Sequence, residues 1–111
     1  MSVATYRFGE KIFLGNADGL RSHVDRLFED AAVGAIVFDL ENVKLCDSYG
    51  LKLLITYHRK SLLAGKKLYL FRPDVIVKEM LDNTKLSEVF TITDSMPDEI
   101  AGSDAGADTG A

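Results

Sequence analysis

Residues 35 to 71 read as one strand–helix–strand unit, and that unit restricts the fold more than anything else in the chain. Ala35 to Leu40 is apolar except for Asp39, as expected of a strand covered on at least one face. From Gly50 to Ala64, Leu51, Leu54, Ile55, His58 and Leu62 recur at helical spacing, with Lys52, Arg59 and Lys60 opposite. Gly65 ends this helix in the C′ role, and Lys67 to Phe71 resumes as a strand. Two strands joined by a crossover helix pair in parallel within one sheet.

The flanking segments extend the pattern. Val3 to Phe8 alternates, Gly9-Glu10 interrupts, and Lys11 to Leu14 resumes, which predicts an antiparallel hairpin. Asp18 or Asn16 is placed to cap a helix over 20–31. Its apolar face is Leu20, Val24, Leu27, Phe28 and Ala31, with His23 at the edge. Pro73 starts a third helix, with Asp74 in its first turn and Ile76, Val77, Met80 and Leu81 facing inward. Residues 83–87 connect it to a short strand over 89–93, and Ser95 to Ile100 forms a terminal helical turn. The expected class is α/β, a small mixed sheet of four to five strands carrying three to four helices. Gly102 onward has no large apolar side chain. Residues 1–100 are therefore expected as one domain and 101–111 as a disordered tail.

Composition narrows the function. With 47% hydrophobic residues among 111, a packed core is expected. The net charge of −4 and the lack of a basic cluster argue against nucleic acid as partner. No apolar run approaches the ~20 residues that cross a bilayer, and residues 1–10 lack a signal-peptide pattern. With its single cysteine, Cys46, the chain reads as cytoplasmic, without direct membrane insertion.

Enzyme signatures are missing. Gly15-Asn16-Ala17-Asp18-Gly19 has the wrong spacing for a dinucleotide fingerprint, and one Cys with two His on separate elements does not make a metal site. Neither cofactor nor metal is expected. Ser48, His58 and Asp47 do not form a triad, because Ser48 and His58 are separated by ~15 Å of helical rise. Cys46 adjoins a helix N-terminus, but flanking Val43 and Leu45 favour a buried thiol over an activated one.

What remains is Asp47-Ser48-Tyr49-Gly50 at the start of the central helix. A serine there is suited first of all to capping, worth ~1 kcal/mol, and can also carry a phosphate that the helix end tolerates. Gly50 lowers helix propensity by ~1 kcal/mol against Ala, which is useful where another backbone or a kinase loop approaches closely.

These residues carry a family resemblance. Asp39-Leu40, Val43, Asp47-Ser48-x-Gly50-Leu51 and Leu53-Leu54, with Gly65-Lys66-Lys67-Leu68, the Pro73-led helix and Leu86-x-x-Val89-Phe90-x-Ile92, resemble the STAS domain of sulfate transporters and anti-sigma factor antagonists. The resemblance spans about residues 3–100. It implies that Ser48 is a phosphorylation site. It further implies that the unphosphorylated protein binds an anti-sigma factor that is itself a serine kinase of the histidine-kinase-like ATPase fold. Phosphorylation would end that binding and a PP2C-type phosphatase would restore it. The implied partner surface is Asp47, Ser48, Tyr49, Gly50 and Lys52, with Asp18 from a Gly-x-x-Asp segment and Lys44 beside it. Tyr49 departs from the small residue usual at its position. A second expectation from the same resemblance is a STAS accessory subunit docking on the ATPase of an ABC-type lipid transporter, which needs no phosphorylated Ser48.

Overall fold

The computed structural model describes residues 2–12 and 17–94, with the side chain of Ala17 excepted. The strands are β1 (Ser2–Arg7), β2 (Lys11–Ile12), β3 (Val33–Asp39), β4 (Leu45–Cys46), β5 (Lys67–Phe71) and β6 (Thr91–Thr93). The helices are α1 (Ala17–Glu29), α2 (Ser48–Ala64) and α3 (Val75–Asn83), followed by a 3-10 turn at Leu86–Glu88. The main sheet has the order β1-β3-β5-β6, and all its pairings are parallel.

The expected hairpin does not form. β1 pairs in parallel with β3, and β2 leaves the main sheet to pair in parallel with β4. The reason is burial. Ala4 and Phe8 reach the helix-covered core only if β1 lies beside apolar β3, and Ile12 reaches the same core from the separate two-stranded sheet. Phe13 to Asn16, the end of the expected second strand and the Asn16 cap, lie outside the described residues, as do Ser95–Ile100 and the tail at 101–111.

Strand alternation sorts the core. Ile36, Phe38, Leu68 and Leu70 point to the face that also receives Val24 and Phe28 of α1, Leu54 and Tyr57 of α2, and Val77 and Leu81 of α3. Val3, Ala35, Val37 and Tyr69 make a smaller cluster with Phe71 on the opposite face. Rings at the α1–α2–β3 junction interlock, with Phe28 stacked on Tyr57 at 5.2 Å and Phe38 edge-on to Tyr57 at 5.8 Å.

Several local expectations shift. Gly65 closes α2 at φ 69° as a left-handed cap. Pro73 precedes α3 rather than starting it, because Asp74 at φ −68°, ψ 166° is the extended N-cap residue. Ile76 is half exposed, and Ala31 lies in the turn beyond α1. On α2 the buried arc is Gly50, Leu53, Leu54, Tyr57 and Ser61, one residue out of phase with the expected stripe, and Leu62 is 67% exposed. His58 is therefore partly buried, its ring edge-on to Phe90 at 5.2 Å without a side-chain hydrogen bond to the described residues. His23 is exposed and packs its ring on Tyr6.

Candidate binding site

The site begins where β3 ends. Asp39, 4% exposed, accepts from Arg7 Nε at 3.2 Å and from the Glu41 N–H at 3.0 Å. It thereby anchors the loop that leaves β3. Glu10 O then accepts the N–H groups of Lys44 and Leu45, which joins that loop to β2. β4 follows, and the chain turns into α2 at Asp47.

Asp47, not Ser48, is the N-cap. Its backbone is extended (φ −90°, ψ −173°) and its Oδ1 accepts the Gly50 N–H at 2.8 Å. Ser48 is the first helical residue, exposed, and its hydroxyl makes no hydrogen bond to the described residues. The capping role expected of the serine thus belongs to its neighbour. Only a short side chain one residue earlier has the extended backbone that aims its oxygen at the N3 amide.

Gly50 is buried. A Cβ there would lie 2.5 Å from Ile12 O, 2.8 Å from Cys46 Sγ and 3.0 Å from Ile12 Cγ2. The backbone approaching this glycine is the protein's own β2. The contact presses the first turn of α2 onto the small sheet and so sets where Ser48 emerges. Cys46 is 4% exposed, and burial, then the Asp47 carboxylate, push its thiol up to about 11. That is a core thiol, as its apolar neighbours imply.

Tyr49 is half buried and lies toward α1. Its hydroxyl, as acceptor, raises the Arg21 guanidinium further above its usual pKa. Arg21, Tyr49, Lys52, Leu53 and Thr56 line a groove of about 300 Å³ between the starts of α1 and α2. Lower down, Asp25 Oδ1 accepts Tyr57 Oη at 2.8 Å and Lys60 Nζ at 3.1 Å, which makes Lys60 a bridging residue and not a solvated one. Burial, then Asp25, raises the Tyr57 phenol well above its ordinary value. Contacts Arg21–Tyr49 and Asp25–Tyr57 keep α1 and α2 side by side with both N-termini at one end.

Asp18 is exposed in the first turn of α1, three residues before Arg21 and on the same helical face. Lys44 is exposed and pairs with Asp74 Oδ2 at 3.3 Å. The residues that flank this pair in sequence, Leu45 and Val75, are 47% and 65% exposed. Sequence reasoning missed Arg21, Leu45 and Val75. Only the i+3 relation of Arg21 to Asp18 offered a signal. His58 is on α2 ten residues beyond Ser48, and among the described residues no three His, Cys, Asp or Glu converge on a metal position. No described helix is long and apolar enough to cross a membrane.

Comparison with known proteins bears on this geometry. Comparison with curated proteins gives no match. Among solved structures, the chain is similar to that of the anti-sigma factor antagonist SpoIIAA in its unphosphorylated form. The identity is 16%, the TM-score 0.60, and the match covers 89% of this chain and 83% of that one. At that identity the likeness is one of fold. The family model of the STAS domain matches residues 2–99. A match over almost all of the sequence, joined to the parallel α/β sheet described above, means that this chain belongs to the STAS domain family.

Proposed function

We propose that this protein is a phosphorylation-controlled binding module of the anti-sigma factor antagonist type. In its unphosphorylated form it holds an anti-sigma factor that is also a serine kinase of the histidine-kinase-like ATPase fold. That kinase transfers the γ-phosphoryl group of ATP to Ser48 Oγ, the hydroxyl proton departs, ADP leaves, and the complex separates. A PP2C-type phosphatase hydrolyses the ester and resets the module.

One observation carries this reading. The Ser48 hydroxyl is exposed and makes no hydrogen bond to the described residues, while Asp47 caps the helix. The capping bond is made by Asp47 and not by the serine, so modifying Ser48 leaves that bond in place. A phosphate of about −1.5 to −2 charge at a helix N-terminus is electrostatically accommodated, whereas at a tight interface it must be desolvated. The fold shared with SpoIIAA, an anti-sigma factor antagonist solved in its unphosphorylated form, supports the same reading. Tyr49, Lys52, Asp18 and Lys44 form the contact surface, with Asp47 and Gly50 fixing its shape from within.

The test is a pull-down from the native cell lysate with wild type and Ser48→Asp side by side, read by mass spectrometry. A serine kinase captured by wild type and lost with Ser48→Asp is the expected result. Capture of a transporter ATPase by both forms would overturn the switch and favour the transport-subunit reading.

A further inference from the structure

The charges at the Ser48 end of the molecule are unequally committed. On α1, Arg21 is engaged by Tyr49, and Asp18 stands exposed one turn earlier. Lys44 is paired with Asp74 across to α3. Asp47 accepts from Gly50, and Lys11 on β2 has a partner of its own. Lys52 is different. It is exposed and has no carboxylate partner among the described residues.

Helix α2 makes that imbalance sharper. Between Ser48 and Ala64 it carries Lys52, Arg59 and Lys60 and no Asp or Glu, within a chain of net charge −4. Arg59 and Lys60 are two turns or more from Ser48, and Lys60 is bound to Asp25. Lys52 is four residues after Ser48. Side chains at i and i+4 are neighbours on a helix, with Cβ atoms ~5–6 Å apart, and an anion preceding a cation is the favourable order. On the helical wheel Lys52 lies between Ser48 and the stripe of Tyr49, Leu53 and Thr56 that lines the groove. Its ammonium can thus serve the groove or Ser48.

We infer that Lys52 is the built-in counter-ion of phosphorylated Ser48, so that modification of Ser48 also draws Lys52 away from the groove it lines with Arg21 and Tyr49. This rests on reading Ser48 as the phosphorylated residue. Two groups of the contact surface then change together. A partner meets neither the hydroxyl nor the available ammonium, and the phosphate is held against the helix rather than extended into solvent. The cation lies outside the Asp-Ser-x-Gly-Leu pattern, one residue beyond it.

The test is a phosphorus NMR titration of the full chain with phosphoserine installed at position 48 during synthesis, in wild-type, Lys52→Met and Lys52→Arg forms. An unperturbed phosphoserine has its second pKa near 6. Removing the cation in Lys52→Met is expected to raise the value by about 0.2–0.4 unit over wild type. Lys52→Arg is expected to stay at the wild-type value, and the difference between wild type and Lys52→Met is expected to shrink in 1 M salt, where the screening length is ~3 Å. Lys52 is exposed, so neither variant disturbs packing. Identical titrations of wild type and Lys52→Met overturn the inference, as does a Lys52→Arg form that titrates like Lys52→Met. Because the phosphate is installed without a kinase, this failure is separate from that of the switch reading, which the pull-down alone decides.

Discussion

The Cα of Gly50 faces the main-chain carbonyl of Ile12 so closely that a methyl group there would sit 2.5 Å from the oxygen. Helix α2 therefore begins against β2 with no room for a side chain, and a glycine is required although it lowers helix propensity. Gly50→Ala is expected to destabilise the protein by about 1–2 kcal/mol net, an overpacking cost of up to ~3 kcal/mol outweighing the ~1 kcal/mol gain in propensity. Urea unfolding measures this. A Gly50→Ala variant as stable as wild type would show that β2 is not seated there.

The division of labour between Asp47 and Ser48 has a measurable signature. Asp47→Ala removes the acceptor for the Gly50 N–H and is expected to cost about 1 kcal/mol. Ser48→Ala removes an exposed hydroxyl that makes no hydrogen bond to the described residues and is expected to change stability by less than ~0.5 kcal/mol. The reverse order in chemical denaturation would return the capping role to the serine and weaken the case for a regulatory one.

Tyr57 joins α1 to α2 through Asp25. Tyr57→Phe keeps the stacked ring and removes only the hydroxyl that donates to Asp25, at an expected cost of about 1–2 kcal/mol. Tyr57→Ala also empties the core position and is expected to cost about 3–5 kcal/mol. Equal losses for the two variants in thermal or urea unfolding would contradict the assigned hydrogen bond.

Cys46 gives a pH dependence with a definite sign. Its thiol is raised from 9.0 to about 11 in the folded protein, so the unfolded chain releases that proton first. Stability is expected to fall as pH rises from about 9 toward 11, and Cys46→Ser should flatten that slope. At pH 8 the folded thiol is expected to react with an alkylating reagent on the order of 10²-fold more slowly than a free cysteine. Rapid labelling of folded protein would mean that the first turn of α2 opens readily.

Tyr49 tests the surface independently of Ser48. Tyr49→Ala frees Arg21 and removes a half-buried ring from a surface groove, so stability is expected to change by less than ~1 kcal/mol. If the groove is part of the contact surface, affinity for the captured kinase should fall by tenfold or more, as for other aromatic interface anchors. Unchanged affinity in a binding titration would move the interface away from α1.

Local sequence signals were enough for the α/β class, the presence of α2 and its end at Gly65, and the buried strand before it. These depend on local chemistry: an apolar run, a capping residue, a glycine closing at positive φ, a helical repeat. Tertiary structure alone decided the partner of β1, because an alternating strand next to Gly9-Glu10 is compatible with a hairpin until burial of Phe8 and Ile12 in one core is considered. It also decided the phase of α2. Leucines and Ile55 occur almost all around that helix, so periodicity could not choose between Leu62 and Tyr57 as core residues, and packing on Phe28 and Phe38 chose Tyr57. Whether Gly50 meets a partner or β2, and whether Lys52 or Arg21 is the uncommitted cation, are likewise set by segments distant in sequence. Short-range rules encode which elements exist. Which of their faces meet is settled by the competition of all apolar groups for a single core.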